Sequence, residues 1–342
     1  MLLLLLSIFL FCKNETPPNQ LVSTREQPLR EAPGERGREI RPLKAGENAL
    51  DLRDVSPFET PLLFDDTLLF APWIKVETSK GEKGWVFAGY WQPSLAETDS
   101  WLLDKRLHCY FGKALTARYH QFATDRQITS ESAFAAHYRE AMALRDTFVL
   151  LLARRPDPNE ASSKPDFFWM RDVLQGFVFQ WVADGTQPYL FADFRFFQKI
   201  AATTDGSQDD AFVKTCLLAF PSDSIESFFP AWKFQLSEHE AASQLGTNTH
   251  VRMLRQIDSA LKTGSLFQPE LVAFKESLLE DILGKNTVYW QPATSILKEM
   301  EEILAADFAC LDERDRTAIA ARRAMFEAPE ANGLRVNLRS GY

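Results

Sequence analysis

The first apolar run, Leu2 to Phe11, holds ten apolar or small residues and stops at Cys12, where the polar Lys13-Asn14-Glu15-Thr16-Pro17-Pro18 begins. That length suits the hydrophobic region of an export signal and falls short of a membrane-spanning helix, which needs about 20 residues. Over 13–46 large apolar residues are sparse, and Pro17, Pro18, Pro28, Pro33 and Pro42 alternate with charges of both signs. Such a stretch buries too little surface to offset chain entropy, so a disordered tether is expected there. A period of two then sets in at Ala49-Leu50-Asp51-Leu52-Arg53. It returns in Leu62-Leu63-Phe64, in Thr67-Leu68-Leu69-Phe70, and on both sides of the turn Ser79 to Lys83, in Trp73 to Thr78 and Gly84 to Ala88. Short strands with glycine-containing turns predict a small β-barrel over 47–93.

From about Glu97 the period changes to that of helices, with Asp99 or Ser100 placed to cap the first. From Ser130 the stripe Phe134, Tyr138, Ala141, Phe148, Leu152, widened by His137, Leu144 and Leu151, predicts an amphipathic helix ending at Arg154-Arg155, before Pro156 and Pro158. Residues 166–183 are apolar nearly all round and predict a central helix. Further helices are expected near 189–203, 208–219, 223–244, 247–262, 268–284 and 292–327, separated by Gly, Pro or Asn breaks. An all-α domain over 94–330 is expected, followed by a frayed tail at 331–342.

Composition adds an acidic, globular body: 38 Lys and Arg against 47 Asp and Glu give a net charge of -9, and 45% of residues are hydrophobic. That balance argues against nucleic acid as a partner and against attachment to an anionic bilayer through a basic patch. The 27 phenylalanines are expected in the core. Cys12, Cys109, Cys216 and Cys310 lie about a hundred residues apart, which excludes CxxC and zinc-ribbon patterns. With Cys12 set aside, either one disulfide and a free thiol or three buried thiols are open, and small apolar core residues are the simpler expectation.

The segment ending at Cys12 resembles a bacterial lipoprotein signal, in which the cysteine after the cleavage point receives diacylglycerol. No Lys or Arg precedes the run and Phe11 is bulky for a signal peptidase; spirochaetal lipoproteins carry such loose versions. An ordinary signal peptide and a buried apolar segment are the alternatives. The chain from 47 to 93 resembles a bacterial SH3 domain. It has Leu52-Arg53, Ser56-Pro57, Trp73-Ile74-Lys75-Val76, Gly81, Gly84-Trp85-Val86 and Tyr90 in that order, and departs at Asp65-Asp66 and Pro72. The resemblance implies a binding module for cell-wall peptides or proteins, with Trp73, Trp85, Tyr90 and Trp91 as candidate ligand contacts; core packing is an equal expectation for Trp85.

The helical region offers no linear catalytic motif. Glu238-His239 would need a second histidine at 243 for a zinc motif, and Ser243 stands there. Asp205, Ser207 and Asp209 begin like a calcium loop, but Asp210 and Cys216 occupy the positions that require Gly and Glu. GxGxxG, Walker and GxSxG sequences are missing. Lys298-Glu299-Met300-Glu301-Glu302 reads as a solvated helix face. No cofactor or metal is expected. The sequence thus predicts a lipid-anchored, non-enzymatic binding or scaffold protein of the cell envelope, with an SH3-like β-barrel followed by a larger all-α domain. Its partners would be the membrane, through the anchor, and peptidoglycan or another protein. The alternative is an envelope enzyme, such as a hydrolase, whose helical domain would carry a pocket of facing carboxylates or histidines.

Overall fold

The computed structural model describes residues 19–64, 67–94, 98–125, 128–154, 167 and 169–338. The expectations for the run ending at Cys12, for 13–18 and for 339–342 lie outside them. The described chain divides into two compact units, one over 19–118 and one over 119–154 and 167–338. Among the described residues no helix is long and apolar enough to cross a membrane.

The first unit is an antiparallel sheet of β1 (Gln20–Ser23), β2 (Gln27–Arg30), β3 (Glu39–Leu43), β4 (Asn48–Phe64), β5 (Thr67–Thr78), β6 (Lys83–Phe87) and β7 (Trp91–Pro93), in the order β3-β2-β6-β5-β4-β1-β7. The strand pair expected around Ser79 to Lys83 is β5–β6, in register from Trp73↔Phe87 to Glu77↔Lys83. The sheet is open rather than a closed barrel. Residues 47–93 are not self-contained, because β2 pairs with β6 and β1 pairs with both β4 and β7.

Those added strands correct the expected tether: from residue 19 onward the segment is folded. A strand of four or five residues turns only one or two side chains inward, so sparse apolar residues suffice. Leu21, Leu29 and Leu43 are fully buried, and the buried Gln27 accepts a hydrogen bond from Phe87 N–H at 3.1 Å through Oε1. Pro28 and Pro42 lie opposite each other in β2–β3, where β3 is a sheet edge that tolerates missing donors. In β4 the ladder to β5 shifts register between Asp51 and Val55 and again between Val55 and Glu59, which accommodates Arg53 at φ 62° and Pro57.

Helix α1 (Thr98–Thr124) follows and is broken at Gly112, whose φ of 76° and ψ of 162° lie outside helical space and suit glycine. Within the first unit α1 and β4 are tied by ion pairs. Lys105 Nζ lies 2.6 Å from Asp51 Oδ2 with both side chains buried, and Arg106 Nε lies 2.9 Å from Glu59. Tyr110 Oη donates to the same glutamate at 2.7 Å.

The second unit is helical but not all-α. It contains α2 (Glu131–Ala153), α3 (Met170–Val173), β8 (Phe177–Val182), β9 (Gln187–Ala192), α4 (Phe194–Ala201), α5 (Gln208–Ala219), β10 (Lys233–Gln235), β11 (Ala241–Ser243), α6 (Thr249–Thr263), α7 (Gln268–Leu283), α8 (Ala293–Ala305) and α9 (Glu313–Met325). α2 starts where its N-cap serine predicts, with Ser130 Oγ accepting from Ala133 N–H, and it buries Phe134, His137, Ala141, Leu144, Phe148 and Leu152. The helix expected over 166–183 is instead one helical turn and the strand β8, which pairs with β9. A continuously apolar sequence does not distinguish the two periods, and the decisive residues are Gly176 and Gly185, both at positive φ, which follow α3 and turn the hairpin. The helix expected over 223–244 is likewise replaced by the hairpin β10–β11, preceded by a loop with Asp223 and Ser224 at positive φ. The single helix expected over 292–327 splits into α8 and α9, where Asp312 and Asp315 form a capping box. The tail is not frayed as far as Leu338: Tyr289 N–H donates to Arg335 O at 2.9 Å and Asn337 N–H to Gln291 O at 2.9 Å.

Phenylalanines dominate this core, with Phe134, Phe148, Phe179, Phe197, Phe212 and Phe267 fully buried. Cys109 and Cys216 are buried, Cys310 is half-buried, and none of the three is in a disulfide. Burial, and then the Asp258 carboxylate, push the Cys310 thiol up to about 12.

Candidate functional site

Two of the four aromatic residues expected to meet a ligand are core. Trp73 and Trp91 are each 2% exposed. Trp73 Nε1 donates to Thr60 Oγ1 at 2.8 Å, and its edge meets Phe87 at 6.0 Å between centroids. The alternation of β6 turns Val86 inward, fully buried, and leaves Trp85 half-buried opposite Lys75 and Arg30. Tyr90 is half-buried too, edge-on to Phe87 at 5.0 Å, with the Arg25 guanidinium 6.0 Å from its ring. Its hydroxyl reaches Leu63 O at 3.5 Å. Leu63 and Leu68 face each other across the β4–β5 hairpin and are 65% and 52% exposed. Of the four aromatic residues Trp85 and Tyr90 stay accessible, and the most exposed large apolar side chains of this unit are Leu63 and Leu68, ahead of Ile40 and Leu50. Cys12 lies outside the described residues.

A cleft of about 400 Å³ lies in the second unit. Its lining includes Phe229, Lys233 from β10, His239 from the β10–β11 turn, Glu280 and Asp281 from the last turn of α7, and Lys285 to Thr287 beyond that helix. β11 is held against the segment after α7: Ser243 N–H donates to Val288 O at 2.7 Å, and Trp290 N–H donates to Ser243 O at 3.0 Å. Arg322, buried behind this segment, donates to Gly284 O at 2.7 Å and to Tyr289 Oη at 2.9 Å. A cation at the carboxyl end of α7 matches the negative end of the helix dipole.

Beneath the cleft, Asp281 Oδ2 accepts from Ser243 Oγ at 2.5 Å and from His250 Nε2 at 2.9 Å, with Ser243 and His250 fully buried. These are the residue types of a hydrolase triad in the wrong order. A nucleophilic serine needs the imidazole between itself and the carboxylate, so that the imidazole takes its proton. Here the carboxylate stands between them and receives both donors, so the trio braces β11, α6 and α7. No family model, curated protein or solved structure matches this chain. What it does must be read from its own residues.

The stretch 205–216 lacks Gly and Glu at the positions where a calcium loop requires them, and 205–207 is a polar turn that leads into the start of α5. Asp209 is fully buried in the first turn of α5 and accepts from Thr204 Oγ1 at 2.5 Å. Glu299 corrects the solvated-face expectation for 298–302. It is 1% exposed, and its carboxylate accepts N–H groups from Gly246 at 2.5 Å, Asn248 at 3.0 Å and Val251 at 3.1 Å, closing the amino end of α6. Metal-type donors converge once among the described residues, at Asp184, Glu238 and His239. Sequence reasoning weighed Glu238-His239 alone, because Asp184 arrives from a different hairpin.

Proposed function

We propose that the chain is a membrane-anchored, non-enzymatic binding protein of the cell envelope, lipidated at Cys12, whose sheet unit takes a cell-wall peptide or a protein partner. The observation that carries this reading is the exposed apolar end of the β4–β5 hairpin. Burying a leucine is worth about 1.5–3 kcal/mol, so two leucines left opposite each other in solvent suit a surface that a partner covers. Tyr90 beside them offers a flat apolar ring with a polar edge, of the kind enriched where proteins bind. The likeness of Trp73 to Val76 and Gly84 to Val86 to the closing hairpin of bacterial SH3 domains supports a binding role for this unit. Burial leaves Trp85 and Tyr90, rather than Trp73 and Trp91, as the aromatic contacts for that role.

The test is co-sedimentation of the full chain, in detergent, with purified peptidoglycan sacculi. Retention that Tyr90→Ala and the pair Leu63→Ser/Leu68→Ser weaken tenfold, with melting temperature unchanged, is the expected result. Retention indifferent to both changes would remove the hairpin end from the reading, and no retention would remove the wall as its ligand.

A second reading, an envelope enzyme, draws on the cleft in the helical unit, where Lys233, His239, Glu280 and Lys285 line one space. Turnover of wall fragments by the purified chain, abolished by Glu280→Gln, would replace the first reading with this one.

A further inference from the structure

Asp184 and Glu238-His239 lie on the turns of two hairpins, β8–β9 and β10–β11, and no sequence motif links them. The Asp184 backbone N–H donates to the Glu238 carboxylate, which fixes one turn against the other. One donor atom from each of the three side chains lies within 4.8 Å of the others. All three residues are exposed, so modest side-chain rotation closes them onto bonds of about 2.0–2.2 Å to a shared ion. Among the described residues neither carboxylate is engaged in an ion pair, and Lys233 and Lys285 line the cleft together with His239. His239 also lines the 400 Å³ cleft, a space for a ligand independent of the donor set.

We propose that Asp184, Glu238 and His239 bind a divalent transition metal of the zinc class. An imidazole nitrogen with two carboxylates suits zinc better than magnesium, which prefers all-oxygen octahedral surroundings. Three protein donors leave a coordination position open, the pattern of zinc sites that take an exogenous ligand. The small anionic or carbonyl-bearing group that would complete the shell is accommodated by the cleft that His239 shares. This site is independent of the anchor and of the sheet's partner, so it stands or falls separately from the binding reading.

The experiment is isothermal titration calorimetry of the untagged full chain in detergent, stripped with chelator, with zinc chloride and separately with magnesium chloride. The expected result is saturable binding of one zinc per chain and at least hundredfold weaker magnesium binding. Asp184→Asn and His239→Ala should each weaken zinc at least tenfold with no change in the melting temperature of the metal-free protein. Zinc should raise the parent's melting temperature and leave that of His239→Ala unmoved. Absence of saturable zinc binding overturns the proposal. So does zinc binding that both variants retain, which would place the ion elsewhere.

Discussion

His137 is a buried base whose Nε2 meets no partner among the described residues, and its ring lies on Phe122 with centroids 4.2 Å apart and planes 16° from parallel. Burial pushes its pKa down, against a weaker upward pull from Asp125 and Glu140. The unfolded imidazole titrates near about 6.5, so the folded chain binds the proton less readily. Stability is then full above that value and is lost as pH falls through the lower folded pKa. His137→Phe keeps the stack and removes the orphan nitrogen. Its melting temperature should fall less than the parent's between pH 8 and pH 5.5, and equal falls would exclude His137 as a source of acid sensitivity. Asp51 and Lys105 make the opposite kind of buried site, a closed ion pair, with Asp51 Oδ1 also accepting Arg53 N–H at 2.7 Å. Lys105→Met strands the carboxylate and should cost about 3–5 kcal/mol, whereas Lys105→Met with Asp51→Leu should recover most of that loss in denaturant melts. A double variant as unstable as the single one would mean that the packing of the lysine stem, not charge, matters there.

At the scale of elements, α6 depends on a residue from α8. Three N–H groups at its amino end converge on one buried carboxylate, and Asn248 at the N-cap, with φ of 67°, offers no side-chain cap of its own. Glu299→Ala should cost about 2–4 kcal/mol, since it strands buried donors and removes an anion from the positive end of the helix dipole. Glu299→Gln, which keeps an acceptor, should cost less. Equal losses in urea denaturation would mean that charge, rather than an acceptor, is what the turn requires. The same contact explains what was legible in the sequence. α2, α5, α6 and α7 were predicted near their observed limits because helical periodicity and capping residues are local. Glu299 reads as a surface charge in sequence because its partners lie about fifty residues earlier. β1, β2 and β3 escape notice because each buries one or two side chains, and β8 reads as helix because its sequence is apolar at nearly every position, although the strand buries only Phe177 and Phe179. The aromatic site was half legible: alternation and register set Trp73, Lys75 and Trp85 on one face and Ile74 and Val86 on the other, but only the packing around each residue decides which of them is buried.

For the whole molecule, attachment to a membrane has two possible sources, and charge separates them. The chain carries a net charge of -9, so an anionic leaflet repels its body and offers no adhesion of the polybasic kind. In the proposed reading the anchor is diacylglycerol on Cys12. Each buried methylene contributes about 0.8 kcal/mol, and two acyl chains hold where one is marginal. Such attachment is insensitive to screening. The membrane fraction should therefore keep the protein through a wash at about 1 M salt, where the Debye length shrinks to about 3 Å, and release it to detergent. Cys12→Ser should move the protein to the soluble fraction and abolish incorporation of a palmitate analogue, while leaving zinc titration and sacculus binding as in the parent. Cys12→Ser protein that stays on membranes after the salt wash would mean that the run Leu2 to Phe11 holds the chain by itself. That run has about half the residues a spanning helix needs, so retention would have to come from an uncleaved interfacial segment, and the lipoprotein reading would fall while the binding surfaces remained to be judged on their own tests.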